Sequence, residues 1–379
     1  MKISKVDVED LKSRKNVHSE DLSVIVKDYK QNTTFTKSHF MRDPELILSK
    51  RYGEKFDSYR VDYKKSLNYD TTGFIPEFPI TLTLELVNRC NLSCVMCYTI
   101  NHAEKKYTLD IIDIERVLDE CHEHNLPALV VGLGSEPLLY KGMKSVLEKA
   151  KNSGVMDIFL GTNGVLLSGE MSEFLVKNEV ARLEISLDAA TPDTYKKVRG
   201  KDELQRIEAN IMRFIEIRKS HKSELPVLRL CFCVQELNYK EVDMFKDKWK
   251  DIADYIDFQQ LIDFSEVDKF RSKDFVDFSD SPVKVPDSPV EKMESHCAYP
   301  FNSLHVWSNG NVTPCCTFYA KTETLVLGNI KESTLEELWN GEKINNIRHQ
   351  LLAGEPNAVC KACLTNRNDQ HFNGIDKKK

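Results

Sequence analysis

Cys90-Asn91-Leu92-Ser93-Cys94-Val95-Met96-Cys97 places three thiols within eight residues, with three and then two residues between them. Directly before it runs Ile80-Thr81-Leu82-Thr83-Leu84-Glu85-Leu86-Val87, which alternates at period two. That alternation predicts a strand, with the thiols in the loop leaving its C-terminal end. A compact loop can wrap thiolates round one metal centre, and all-sulfur ligation selects zinc or iron–sulfur. A structural zinc knuckle or a closed cubane wants four ligands, and only three are offered locally. A three-thiolate cubane leaves one iron open to an outside ligand, which suits chemistry better than scaffolding. The spacing alone leaves both metals open.

The 379 residues suffice for two or three domains and a substantial core. A net charge of −6 and a pI near 6.0 provide no basic field for nucleic acid. The closing Lys377-Lys378-Lys379 reads as a solvated tail. The N-terminus shows no apolar leader core and no apolar run is long enough to span a bilayer, so no membrane is expected. Eleven Cys at metal-like spacings in such a chain point to ligands in a reducing compartment, hence a cytoplasmic protein.

Four regions are expected: an N-terminal extension over 1–78, a barrel-like core over 79–262, a linker or lid over 263–295, and a Cys-bearing domain over 296–379. The extension is charged and irregular, with helical stretches near Ser19–Tyr29 and Asp43–Arg51, and fits a cover for the core. From residue 79 strands alternate with helical patterns, which argues parallel βα units. The strands are expected at Ala128–Leu133, Asp157–Leu160, Arg182–Asp188, Val227–Val234 and Tyr255–Gln260. Helices are expected near Ile111–Cys121, Leu138–Lys151, Met171–Lys177, Glu203–Lys219 and Lys240–Trp249. Six such units fit a partial barrel. Further on, Asn309-Gly310 between Ser303–Trp307 and Asn311–Cys316 signals a hairpin with positive φ at both central residues. Ser333 with Glu336 predicts a capping box opening one helix over Thr334–Leu352, stopped by Gly354.

In a parallel βα domain, ligands bind at the C-terminal strand ends. Along Arg182–Ala189 the apolar set Leu183, Ile185 and Leu187 should face the helices, placing Arg182, Glu184, Ser186 and Asp188 in the lumen. By the same alternation Arg229, Cys231 and Cys233 face the lumen from Val227–Val234. Glu85, on the lumenal register of the first strand, is a candidate substrate contact or base. Arg182, Glu184 and Arg229 are candidates for substrate contact or for a structural ion network. Cys231 and Cys233 are either small barrel fillers or lumenal hydrogen-atom donors. Cys121, on the apolar face of its helix, is expected in the core.

Five further thiols stand near the C-terminus: Cys297, Cys315, Cys316, Cys360 and Cys363. Neighbouring strand residues point to opposite faces, so Cys315 and Cys316 are not expected on one centre. Cys297, Cys315, Cys360 and Cys363 provide four thiolates, enough to close one cubane or one Cys₄ zinc site.

The Cys90/Cys94/Cys97 spacing resembles the signature of the radical SAM superfamily. The resemblance implies a partial (β/α)6 TIM-like barrel, an α/β fold, in which S-adenosylmethionine (SAM) chelates the open iron of a [4Fe-4S] cluster. Gly132-Leu133-Gly134-Ser135-Glu136-Pro137 resembles the family's Gly-Gly-Glu-Pro element, which receives the methionine ammonium. The resemblance therefore implies SAM contacts at Gly134, Ser135 and Glu136, with Ser135 replacing the second Gly. Thr162-Asn163-Gly164 resembles another family element near the cofactor, which brings in Asn163. Ser186-Leu187-Asp188 is similar to the ribose-binding segment, and Arg199 is the candidate for the SAM carboxylate. Met96 stands where the family often has an aromatic residue, and Met can pack on adenine.

The C-terminal Cys arrangement resembles an α+β twitch subdomain, a shortened SPASM domain with one auxiliary [4Fe-4S] cluster. Together these imply a radical SAM oxidoreductase or epimerase. Reduced flavodoxin or ferredoxin would supply the electron, and a C–H bond of a small polyol or sugar-type substrate would be attacked. The alternatives are a maturase of a ribosomally made peptide and, from another class, a zinc-stabilised binding protein without catalysis.

Overall fold

The computed structural model describes residues 36–97, 106–132, 134–261, 297–317 and 323–368. The expected helix Ser19–Tyr29 and the linker 263–295 lie outside the described residues.

One sheet of ten strands organises the chain. In sequence they are β1 (Thr36–Phe40), β2 (Thr81–Leu84), β3 (Ala128–Val131), β4 (Asp157–Thr162) and β5 (Arg182–Ser186). They continue as β6 (Val227–Val234), β7 (Tyr255–Gln260), β8 (Ser303–Val306), β9 (Asn311–Thr313) and β10 (Gly328–Asn329). Their spatial order is β1-β7-β6-β5-β4-β3-β2-β8-β9-β10. Strands β2 to β7 are parallel and consecutive, the arrangement of a partial barrel that does not close on itself.

Period-two alternation sorts the side chains between the helices and the lumen. Leu183, Ile185, Leu228, Leu230 and Phe232 are fully buried in the main core. Helices Ile111–Glu123, Met143–Asn152, Gly169–Lys177, Leu204–Ser220 and Val242–Trp249 cover that face. Cys121 is buried in the same core, as its helical position demands.

Helices Pro44–Tyr52 and Glu54–Leu67 lie against the N-terminal ends of the strands. Ile47, Leu48, Phe56 and Tyr59 form a second apolar cluster with Ile80, Ala128, Ala181, Val227 and Tyr255. Beside it runs a buried ion network: Arg182 Nε pairs with Asp157 at 2.7 Å and its Nη2 with Glu45 at 2.9 Å. The Tyr59 hydroxyl donates to Asp157 at 3.1 Å. Arg182 thus supports the floor of the barrel, at the end opposite the loops that follow the strands.

The C-terminal region extends the barrel's own sheet, because β8 pairs in parallel with β2. Three sequence expectations are corrected here. The hairpin turn keeps positive φ at Gly310 alone among its residues, with Gly310 N–H donating to Trp307 O at 2.8 Å. Ser308 and Asn309 therefore fill the central turn positions, and Gly310 takes the left-handed position that follows. The capping box is Thr334 with Glu337, one residue later than expected. The single helix is two, Leu335–Asn340 and Glu342–Leu352, divided at Gly341. The break lets Arg348 reach back to Trp339 O and Pro300 O while its guanidinium lies 4.1 Å over the Trp339 ring.

Candidate active site

The Cys90–Cys97 loop leaves β2 and is braced by the end of a helix that the sequence did not reveal, Pro192–Arg199. Ser93 N–H donates to Arg199 O at 3.3 Å and Val95 N–H to Val198 O at 3.0 Å. Cys94 is buried, whereas Cys90 and Cys97 are half-buried. Cys90 Sγ accepts from Leu92 N–H and from Asn163 Nδ2, both at 3.5 Å. Cys94 Sγ accepts from Arg199 Nη1 at 3.5 Å. Burial pushes the Cys90 thiol above its ordinary pKa, and nearby Glu136 and Cys94 add to the shift. A bound cation would reverse that bias, since metal ligands are the deprotonated thiolates.

The cofactor-type residues sit where the strand ends predict. Glu136 is fully buried and its carboxylate accepts three bonds: Thr162 Oγ1 at 2.7 Å, Asn163 N–H at 2.8 Å and Leu138 N–H at 3.1 Å. Burial nonetheless holds it above the usual carboxylate range. Gly134 has φ +79°, a left-handed conformation suited to glycine. Ser135 Oγ is buried with no hydrogen-bond partner among the described residues. Asn163 Nδ2 also donates to Asn91 Oδ1 at 2.7 Å, tying the Thr162–Gly164 loop to the Cys loop. Ser186 ends β5, half-buried.

Two residues on, Asp188 adopts φ +62° and is buried. Its Oδ1 accepts Cys233 N–H at 2.6 Å and its Oδ2 lies 2.7 Å from Arg199 Nη2. Arg199 is thus already engaged by Asp188 and Cys94. Met96 Sδ accepts from Gln235 Nε2 at 3.6 Å, and Gln235 Oε1 is buried without a donor among the described residues.

Deeper in the lumen, Arg229 bridges Glu184 at 2.8 Å and Asp257 at 2.6 Å. Burial raises the Glu184 carboxyl, partly opposed by Arg229. Cys231 and Cys233 stand on the same face of β6. Burial pushes both thiols well up, reinforced at Cys231 by Glu184 and at Cys233 by Asp188, so both remain S–H at neutral pH. Glu85 is buried and accepts both the hydroxyl (2.6 Å) and the N–H (3.1 Å) of Ser308. It ties the β8–β9 turn to the end of β2, and a substrate would have to displace Ser308 to reach that oxygen.

At the C-terminal end, Cys297, Cys315, Cys360 and Cys363 line one cavity together with Pro300, Pro314, Leu325, Val359 and Leu364. Cys316 is not among its lining residues. Burial raises the Cys315 thiol, and Cys297, Cys363, Cys360 and Cys316 raise it further, so all five sulfurs lie within electrostatic reach. No three or more His, Cys, Asp or Glu among the described residues are drawn together tightly enough for a single ion. What the four thiols share is a thiol-lined cavity with apolar walls, which fits a cluster.

Sequence reasoning missed Asn91, Asp257, Gln235, Tyr195 and the helix carrying Arg199. Thr191 followed by Pro192 was the available signal for that helix, a capping hydroxyl before proline at the first helical position.

Comparison with known proteins agrees with this geometry. The radical SAM superfamily matches residues 84–246, and an iron–sulfur cluster-binding domain, SPASM, matches residues 297–364. The chain is 25% identical over 295 residues to the GTP 3′,8-cyclase of Desulforamulus reducens, covering 69% of this chain and 84% of that protein. It is 28% identical over 168 residues to the probable GTP 3′,8-cyclase of Methanothermobacter thermautotrophicus, 44% of this chain and 53% of that protein. In fold it resembles Streptococcus suis SuiB bound to S-adenosylmethionine, with a TM-score of 0.57 at 15% identity over 80% of this chain and 77% of that one. Cluster loop, partial barrel and thiol-lined cavity therefore have one explanation: the chain is a radical SAM enzyme, a member of the radical SAM superfamily with a C-terminal SPASM iron–sulfur domain.

Proposed function

We propose that this enzyme acts on a C–H bond of a small, hydroxyl-bearing substrate of the polyol or sugar type, and that a lumenal thiol returns hydrogen to the product. The observation that carries the proposal is the β6 face, where Cys231 and Cys233, both kept as S–H, stand above the Glu184–Arg229–Asp257 group. Buried charges in a lumen favour a ligand that hydrogen-bonds. GTP, named by the similar cyclases, is itself a ribose-bearing molecule.

Cys90, Cys94 and Cys97 would hold the N-proximal [4Fe-4S] cluster, and Cys297, Cys315, Cys360 and Cys363 the auxiliary one. With SAM bound, the N-proximal cluster supplies a 5′-deoxyadenosyl radical able to take hydrogen from carbon. Gly134, Ser135 and Glu136 would hold the methionine end, with Glu136 fixing two loops at once. Ser186 and Asp188 would serve the ribose, and Met96 and Gln235 Oε1 would offer the adenine an apolar contact and an acceptor. A thiol at Cys231 or Cys233 gives its hydrogen to the substrate carbon, so S–H breaks and C–H forms. The sulfur radical then regains an electron and a proton, the electron from a reduced flavodoxin or ferredoxin.

The auxiliary cavity favours a second outcome, dehydrogenation: Cys297, Cys315, Cys360 and Cys363 would hold a centre able to take one electron from the substrate radical, with a base taking the proton. Anaerobic incubation in D₂O with SAM, reductant, and polyols, sugar nucleotides or peptides separates the cases by mass. One deuterium gained at carbon supports thiol return, and loss of two hydrogens supports oxidation. Turnover of peptides alone overturns the substrate class.

A further inference from the structure

Cys90 and Cys94 have different surroundings. Cys90 receives a backbone N–H and an amide N–H, both neutral, whereas Cys94 receives the guanidinium of Arg199. That side chain is only 8% exposed, and its charge is offset by Asp188, 2.7 Å away and 1% exposed. Asp188 holds a left-handed backbone conformation, φ +62°, which is uncommon without glycine. There its carboxylate meets both Arg199 and Cys233 N–H.

The contact between the two segments is close. Gly200, just beyond Arg199, passes so near the Cys loop that an added Cβ would sit 2.5 Å from Ser93 O. Two more buried donors on the same helix, Arg199 Nε and the Tyr195 hydroxyl, have no acceptor among the described residues. The helix end is therefore richer in donors than the described residues satisfy. A thiolate-ligated cluster carries the negative charge that such donors address.

We infer that Arg199 is a positioning residue that sets the reduction potential of the N-proximal cluster, through its hydrogen bond to the sulfur of Cys94. Hydrogen bonds to ligand sulfurs and local net charge are among the terms that fix cluster potentials. A bond from a cation is about twice as strong as a neutral one. Arg199 favours the more negative, reduced cluster, and Asp188 moderates that effect while holding the guanidinium in place. The inference rests on the cluster assignment above, and it concerns the cluster before any nucleotide arrives.

The test is an EPR-monitored redox titration of the reconstituted full chain without SAM, comparing wild type, Arg199→Met, Arg199→Lys and Asp188→Asn. Arg199→Met should shift the N-proximal midpoint to more negative potential, and Arg199→Lys should restore part of the shift. Asp188→Asn should move it the other way, because the guanidinium loses its counter-charge. That variant keeps the inference open to refutation where Arg199→Met fails to fold. The auxiliary cluster should titrate unchanged throughout. An unmoved N-proximal midpoint in all variants overturns the inference, as does an equal shift of both clusters, which would mean general loosening. A role confined to gripping SAM would leave these nucleotide-free titrations unchanged. Wild-type protein that assembles no cluster on Cys90, Cys94 and Cys97 would instead overturn the underlying assignment, a separate outcome read from its iron content.

Discussion

Glu136 accepts the backbone N–H of Asn163 at 2.8 Å, joining the loop after β3 to the loop after β4. Asn163 in turn reaches Cys90 Sγ and Asn91 Oδ1, so one carboxylate braces the cluster loop through a single intermediary. Glu136→Ala leaves two buried donors and one part-buried donor without their acceptor. The expected loss of stability is about 3 kcal/mol, at roughly 1–3 kcal/mol per orphaned group with partial relaxation. Urea denaturation of the anaerobic protein measures it, and SAM affinity by calorimetry should fall about tenfold or more.

The auxiliary site makes a count. Cys360→Ala or Cys363→Ala should lower iron from about eight to about four atoms per chain, whereas Cys316→Ala should leave it near eight. Iron and sulfide analysis of anaerobically purified variants checks this. Equal iron loss in the Cys316 variant would mean that the wrong four thiols have been grouped.

The lumenal thiols carry a pH dependence. Burial raises the folded pKa of Cys231 and Cys233 above the unfolded thiol value of about 8.5. Below that value both states are protonated and the stabilising contribution is fully present. Above it the unfolded chain releases protons first, so stability falls with rising pH until the folded thiols ionise. Denaturation midpoints should therefore decline from about pH 8.5 upward, and the decline should flatten in Cys231→Ala/Cys233→Ala. A double variant with an unaltered slope would place the responsible groups elsewhere.

The barrel floor can be uncoupled from the chemistry. Arg182→Met removes the cation between Asp157 and Glu45 and leaves the buried Asp157 with the Tyr59 hydroxyl and the charge of Arg60 as its remaining support. The expected cost is about 3–5 kcal/mol of stability. Iron content and SAM binding, measured at low temperature where the variant stays folded, should remain close to wild type.

The sequence revealed most where the governing interactions are local. Period-two alternation over Arg182–Asp188 and Val227–Val234 correctly sorted Leu183, Ile185, Leu228 and Leu230 to the helix side. Cys297, Cys315, Cys360 and Cys363 line one cavity, but β9 ends at Thr313, before Cys315 and Cys316, so the strand alternation invoked to separate those two thiols does not reach them. Non-local contacts were harder to read. Nothing in the chain announces that Arg199 meets Cys94, 105 residues away, or that β8 pairs with β2. The capping box was ambiguous for a different reason. Ser333 with Glu336 and Thr334 with Glu337 both satisfy the same four-residue pattern. The burial of Leu335, Leu338 and Trp339 accompanies the second choice. Glu85 illustrates a third limit, because alternation placed it in the lumen but could not show Ser308 waiting there.

Everything proposed for this chain depends on one iron of the N-proximal cluster being open to SAM. The direct measurement is the EPR spectrum of the dithionite-reduced protein, with the auxiliary site removed by Cys360→Ala/Cys363→Ala, recorded before and after SAM is added. A changed spectrum, with 5′-deoxyadenosine accumulating in the same sample, is the result this account predicts. A reduced cluster whose spectrum ignores SAM, or a site that holds zinc in place of iron, would contradict it.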